Sequence, residues 1–226
     1  MKRDVITSVI GILVLTLLLG IVYPLVVTGV SQVAFPGNAN GQKVYVDGKL
    51  VGSKIIGQTF ETQPTGKNGK LEMTKTGGPV LIPDLKYFQT RPSATGEPYT
   101  AGGTPDNAAA TTFSNLGPNN TATEQAIAGN IAAYLKLEGP YDPGLTAAKV
   151  PVDAANSSAS GIDPDISAAN ADIQAHRVAA VRHVPMSTVL HVVSQYTHGR
   201  GLGFSGEPGV NVLELNLALD RMTGSS

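Results

Sequence analysis

The sequence predicts an α+β protein, a single N-terminal transmembrane helix followed by a loop-rich extracytoplasmic α+β domain. Three observations predict it. Val5 to Val27 holds sixteen Leu, Ile or Val residues in twenty-three positions, and no charged residue occurs between Asp4 and Lys43. The 226-residue chain is dense in turn formers, with 26 Gly and 15 Pro. Beyond residue 42, a short alternating run is followed by helical segments that begin at capping residues. The implied organisation is a cytoplasmic N-terminus (1–4), a span (5–27), a linker (28–41) and a domain (42–226).

The span comes first. A hydrocarbon core of about 30 Å needs roughly 20 apolar residues in a helix, and Val5 to Val27 supplies them. A cleaved signal has a shorter apolar run and ends at a small-x-small site; Val26, Val27 and Thr28 make no such site. Pro24 is tolerated in a membrane span, and Gly11 and Gly20 are small enough to let another helix pack closely. Lys2 and Arg3 precede the span and nothing basic follows until Lys43, which places the N-terminus in the cytoplasm and the domain outside.

Within the domain, Asp47-Gly48 between Lys43–Val46 and Lys49–Val51 reads as a hairpin, with Ile55 and Ile56 continuing its second strand. Residues 62–82 read as an inserted surface loop, and 88–120 as a longer loop crowded with Pro, Gly, Asn and Thr. Thr121 to Glu124 has capping-box spacing and opens a helix with Ile127, Ile131 and Leu135 inward, up to Gly139. Ser167 caps a second helix to about Arg182, with Ala169, Ile173, Ala180 and Val181 inward. Ser187 caps a third, carrying Val189, Leu190 and Val193 and ending at Gly199. From Val210 to Met222 the leucines alternate as in a strand. Asn211 three residues before Glu214, with Val212, Leu215 and Leu219 on one helical face, favours helix.

Composition and motifs exclude several functions. A formal charge of −1 gives no basic surface for nucleic acid, and zero Cys removes disulfides, thiolate metal sites and cysteine nucleophiles. There is no nucleophile elbow and no phosphate-cradling Gly-rich loop. His176, His183, His191 and His198 are spaced seven, eight and seven apart, whereas two ligands on one helix need a spacing of three or four. These histidines read as solvated faces, with no metal site. Asp163-Pro164-Asp165 reads as the acidic start of the second helix. The remaining enzyme reading is a membrane-anchored extracytoplasmic hydrolase with an unrecognised Ser/His/Asp set. A tether for envelope polymers is a third reading.

Three polar, Gly-bearing segments are too specific for filler: Arg91-Pro92-Ser93-Ala94, Asn115-Leu116-Gly117-Pro118-Asn119, and Gly199 to Pro208 with Arg200, Gly203 and Glu207. An arginine in such a turn can brace the fold or make bidentate contact with a partner's carboxylate or phosphate.

Those segments, together with Tyr23-Pro24-Leu25, Ile56-Gly57-Gln58, Tyr87-Phe88, Pro151-Val152-Asp153, Ser158 to Pro164 and Val210 to Asn216, carry a resemblance. The chain resembles the C subunit of the Kdp-type potassium-transporting P-type ATPases over almost its whole length. Two departures stand out: residues 62–82 are longer than in the family's usual run, and Gln89-Thr90 follows Phe88 where an aromatic or Gly/Pro pair is common.

The resemblance implies a non-enzymatic subunit of a potassium importer in the bacterial inner membrane. Its partners would be a potassium-conducting membrane subunit, a P-type ATPase subunit and a small hydrophobic subunit. Its role would be to stabilise the assembly and act as a catalytic chaperone that raises the ATP affinity of the hydrolysing subunit. It implies no cofactor of the chain's own. ATP belongs to the partner ATPase subunit and is contacted here at most transiently, with Gln195 as the matching nucleotide-binding candidate. Arg91, Ser93, Asn115, Gly117, Asn119, Arg200, Gly203, Glu207 and Asn211 would be partner-contacting or fold-bracing positions. ATP is cytoplasmic, while the charge pattern places the domain outside. Either coupling reaches the ATPase through the membrane helices as a conformational bias, or nucleotide binding is a property of isolated domains.

Overall fold

The computed structural model describes residues 2–66, 69–74, 80–92 and 115–224. They fall into two compact units, one up to Val44 and the other from Tyr45.

The first unit is built on helix α1, Lys2–Ala34, 33 residues and apolar enough to cross a membrane. The helix continues past Val27, where the span was expected to end, to Ala34, since residues 28–34 include no proline. Leu18–Val22 forms a π-helical turn, and Tyr23 N–H donates to Leu18 O. The cause is Pro24, which has no N–H to give to the preceding turn and whose ring crowds it; a widened turn relieves both. Pro36–Ala39 adds one further helical turn.

Strands β1 (Lys43–Val46) and β2 (Lys49–Ser53) form the expected hairpin. Asp47 (φ 50°) and Gly48 (φ 77°) both take the left-handed conformation that its two-residue turn demands. β2 stops at Ser53 instead of running on through Ile55 and Ile56. The chain turns there so that Gly57 can pass the 162–163 backbone, its N–H donating to Ile162 O at 2.7 Å. Strands β3 (Glu61–Thr62) and β4 (Ile82–Pro83) pair antiparallel, and between them Thr65 forms an antiparallel bridge with Leu71.

Residues 85–89 then enter the core without a strand partner, and helix side chains take the place of a ladder. Asn216 accepts from Phe88 N–H and donates to Phe88 O, both at 2.9 Å. Gln174 does the same for Gln89, at 2.7 and 3.0 Å. Phe88 is fully buried.

Helix α2, Thr121–Glu138, is capped by Asn120, whose side chain accepts from Ala122 N–H, one residue before the expected Thr121 cap. Ile127, Ile131 and Leu135 are only half-buried; the buried side chains are Tyr134 and Glu138. Helix α3, Ala168–Arg182, has the expected Ser167 cap. Its inward face, however, is Asn170, Ala171, Gln174, Ala175, Arg177, Val178 and Ala179. Ala169 and Ala180 lie outside, and Ile173 and Val181 are half-buried. The expected face was wrong because this helix must turn its amides and guanidinium toward the unladdered carbonyls of 85–89. Helix α4, Met186–Gln195, starts after Pro185 rather than at Ser187, buries Val189, Val192 and Val193, and leaves Leu190 half-buried. It ends before Gly199 because Thr197–His198 is a strand.

That strand, β6, joins β5 (Asp165–Ile166) and β7 (Gly209–Asn211) in an antiparallel sheet of order β5-β7-β6. Helix α5, Val212–Thr223, settles the C-terminal alternative: Asn211 Oδ1 accepts from Glu214 N–H, and Val212, Leu215 and Leu219 are buried.

Candidate functional site

Two groupings of polar residues are present, one spent inside the fold and one presented outside it. Inside, Arg177 has no exposed surface. Its Nε lies 3.0 Å from both Glu138 oxygens, its Nη1 donates to the carbonyls of Leu85 (2.6 Å) and Tyr87 (2.8 Å), and its Nη2 donates to Gln174 Oε1 (3.0 Å). The network continues through Asn170, which accepts from Tyr134 Oη at 2.8 Å and donates to Asp153 at 2.9 Å. Asp153 also accepts from the Ser167 hydroxyl at 2.8 Å.

Burial pushes the Glu138 carboxyl above its ordinary range, while Arg177 pulls it back. Burial, with Glu138 nearby, likewise raises the Tyr134 phenol, which stays a neutral donor. A second cluster joins Arg182 to Asp220 at 2.8 Å and Tyr87 Oη to Asp220 at 3.0 Å. Burial, reinforced by Asp220, lifts Tyr87 to about 12. Tyr87 and Asp153 lay in motif segments and Ser167 was an expected cap, but Glu138, Tyr134, Asn170, Gln174, Arg177 and Asp220 carried no signal in the sequence. The hint available was the alanine stripe 171/175/179, which runs beside Gln174 and Arg177 and competes with the stripe through Ile173.

Among the positions expected to brace or bind, Arg91 Nη1 meets Asp163 Oδ2 at 3.1 Å, and its Nη2 reaches the carbonyls of Asn156 and Ser157 at 3.4 Å. It ties the 85–92 segment to the approach of α3. Asn211, besides its cap, donates to Lys54 O at 2.8 Å and to Asp165 at 3.2 Å. Asn115, Gly117 and Asn119 are exposed in the turn before α2, where Asn120 N–H donates to Gly117 O. Ser93 lies outside the described residues. Gln195, at the end of α4, is exposed, its Nε2 3.2 Å from His191 Nε2. On α1, a Cβ added at Gly11 would meet nothing within 4 Å, and one at Gly20 only Thr16 Cγ2 at 3.9 Å.

The outer grouping is the loop between β6 and β7. Arg200 Nη2 holds both Glu207 oxygens, at 3.0 and 2.7 Å, and closes the base. Across the loop, Gly201 N–H donates to Ser205 O (2.7 Å) and Ser205 N–H to Gly201 O (2.8 Å). Leu202 (φ 53°), Gly203 (φ 82°) and Gly206 (φ 80°) lie in the left-handed region. The tip presents Leu202 at 91% and Phe204 at 75% exposure. Below it, His198 Nε2 stands 3.6 Å from Asp165 Oδ2. Burial raises the Asp165 carboxyl, and His198 opposes the rise. Among the described residues no three His, Asp or Glu side chains gather into a set that could hold a metal ion.

A helix of spanning length, a domain whose buried charges are spent on its own fold, and a braced loop that offers apolar side chains together define a class. It is an α+β domain carried on one long apolar N-terminal helix. The family model for the c chain of K+-transporting ATPases matches residues 5–221. A potassium-transporting ATPase KdpC subunit of Mycobacterium tuberculosis is 41% identical over 223 residues, covering 98% of this chain and 100% of the relative. The subunit of the same name from Methylibium petroleiphilum is 42% identical over 220 residues, covering 97% and 98%, and that from Streptomyces avermitilis 40% over 223 residues, covering 96% and 92%. The chain belongs to the family of KdpC subunits of the Kdp K+-transporting ATPase.

Proposed function

We propose that this chain is the accessory C subunit of an ATP-driven, high-affinity potassium importer. It joins a potassium-conducting subunit, a P-type ATPase subunit and a small hydrophobic subunit, stabilises their assembly, and acts as a catalytic chaperone that raises the ATP affinity of the hydrolysing subunit. The observation that carries this reading is the family match, continuous from residue 5 to residue 221. Lys2 and Arg3, in the first turn of α1 and ahead of its apolar run, support a cytoplasmic N-terminus and an extracytoplasmic domain.

With that orientation, ATP and the domain lie on opposite sides of the membrane. The chaperone effect is then a bias on the conformational equilibrium of the partner, carried by helix packing in the membrane, and Gln195 does not touch nucleotide in the intact pump. The test is affinity purification of the tagged full-length chain from potassium-starved cells in mild detergent, with a deletion of residues 1–33 as control. Large membrane subunits and potassium-stimulated ATP hydrolysis should accompany the full-length chain, and the ATP concentration for half-maximal hydrolysis should rise when the chain is omitted. A Gln195→Ala variant should leave that concentration unchanged. A full-length chain that elutes alone, without ATPase activity, overturns the reading.

A further inference from the structure

We infer that the proline-widened turn of α1 is a hydrogen-bonding site inside the membrane, where bare backbone carbonyls among Leu19, Gly20 and Ile21 receive a donor side chain from a transmembrane helix of another pump subunit. The inference rests on the pump-subunit reading and names the point on α1 that such a helix engages.

The count of donors carries it. Tyr23 N–H is spent on Leu18 O. Regular helix resumes with Val22 as its N-cap, whose carbonyl takes the first bond of the next segment, from Val26 N–H. The carbonyls of Leu19, Gly20 and Ile21 lie between these two bonds. Pro24 has no N–H, so Leu25 N–H is the one helical donor left for all three. Two of them are therefore without a helical partner. A Ser or Thr three or four residues further on can return its hydroxyl to such a carbonyl. Positions 22–25 hold Val, Tyr, Pro and Leu, so α1 carries no such hydroxyl.

Depth gives these carbonyls their consequence. Gly20 is seven residues, about 10 Å of helix, inside the outer end of the apolar run at Val27. Water does not reach the backbone there, and an unpaired carbonyl in hydrocarbon is unfavourable. The surface around them is open. Residues 18–25 are all exposed, and Gly20 has no side chain to hold a neighbouring helix away.

Complementarity selects the occupant. Lipid tails offer no donor. A bare divalent cation collects about six oxygens or more, far beyond what this turn presents. A second copy inserted the same way brings its own Leu19, Gly20 and Ile21 to the same depth, and none of them carries a donor. Its Thr16 hydroxyl lies about 6 Å deeper, and its Tyr23 hydroxyl is drawn toward the headgroups. A Ser, Thr, Asn or Gln side chain on a different pump helix supplies what paired acceptors need.

The test uses the full-length chain expressed with its pump, and reads the pump subunits retained per chain recovered in mild detergent. Tyr23→Thr places a hydroxyl where it returns to the carbonyl of Leu19 or Gly20, whereas the isosteric Tyr23→Val does not. Retention should be about tenfold lower for the Thr variant than for the Val variant. Pro24→Ala restores the missing N–H and a regular helix. It should lower retention to a similar degree and leave the unfolding midpoint of the domain unchanged. A photoreactive leucine analogue in place of Leu19 should crosslink to another pump subunit. Equal retention for Tyr23→Thr and Tyr23→Val overturns the site, as does full retention with Pro24→Ala. An adduct with lipid, an adduct with a second copy, or no adduct overturns it as well. A Thr–Val difference that appears only with potassium in the buffer assigns the carbonyls to a cation, and overturns the donor. Should the unaltered chain itself retain no partner, the subunit reading falls and takes this site with it.

Discussion

Arg177 and Glu138 show how this domain uses charge. Moving two ions out of water costs several kcal/mol each, so the pair persists only because the guanidinium also satisfies the carbonyls of Leu85 and Tyr87 and the Gln174 side chain. Arg177→Met strands the Glu138 carboxylate and two carbonyls together. It should lower unfolding stability by about 3–5 kcal/mol, read as a shift in the urea midpoint. Arg177→Lys should rescue little of this, because a single ammonium cannot reproduce the planar fork that reaches Glu138, Leu85 and Tyr87 together. Tyr87 makes a pH-dependent prediction. Its phenol is lifted from 10.0 to about 12, chiefly by burial and then by Asp220, so folding favours the protonated form. That contribution is complete below about pH 10, the value for an unfolded tyrosine, and is lost as pH rises toward 12. Tyr87→Phe should cost about 1 kcal/mol at pH 7 through the lost hydrogen bond to Asp220. The gap from the unaltered chain should close between pH 10 and 12 in denaturant titrations.

At the scale of elements, helix ends and turns are set by local chemistry, and those were legible. The Asp47-Gly48 turn, the Ser167 cap and the Asn211 cap each follow from one or two residues, and all three are present. Asn211→Ala removes the cap of α5 and the bond to Lys54 O. It should cost about 1–2 kcal/mol, visible as a lower thermal midpoint. Gly57→Ala should be at least as damaging, because its Cβ would press on the backbone carbonyl of Asp163, and backbone cannot step aside as a side chain can. An overpacking loss of about 1–3 kcal/mol is expected, measurable in the same melt. What escaped the sequence was non-local. The inward face of α3 was misread because its partner is not an apolar surface but the unladdered backbone of 85–89, some 85 residues away in sequence from Gln174. Strands β5, β6 and β7 hold two or three residues each, too few for a period-2 pattern to register. Arg91 and Asp163 were each singled out by motif, yet only folding across 72 positions joins them. The Gly199–Pro208 segment stood out for its composition, but the outward aim of Leu202 and Phe204 depends on left-handed backbone that no pattern of hydrophobicity encodes.

At the scale of the whole molecule, the two units divide labour. Every core residue among the described ones belongs to the unit that starts at Tyr45, whereas α1 buries nothing. A 33-residue helix is about 50 Å long and outruns a hydrocarbon core of about 30 Å, so it has surface to spare for other helices. The open space at Gly11 and Gly20 lies on that surface. Replacing residues 4–34 with an unrelated apolar helix of equal length, so that Lys2 and Arg3 are kept, should therefore leave the thermal midpoint of the domain within about 2 °C, less than the shift expected from 1 kcal/mol in a domain of this size. The same exchange should lower recovery of the pump subunits several-fold, because the packing surface is lost while the tether remains. Calorimetry and quantitative co-purification on one preparation read both effects. Should the midpoint fall with recovery, α1 contributes to the fold of the domain and the division of labour is wrong. Should recovery persist with the midpoint, a bare tether suffices, and specific attachment lies wholly with the unit that starts at Tyr45.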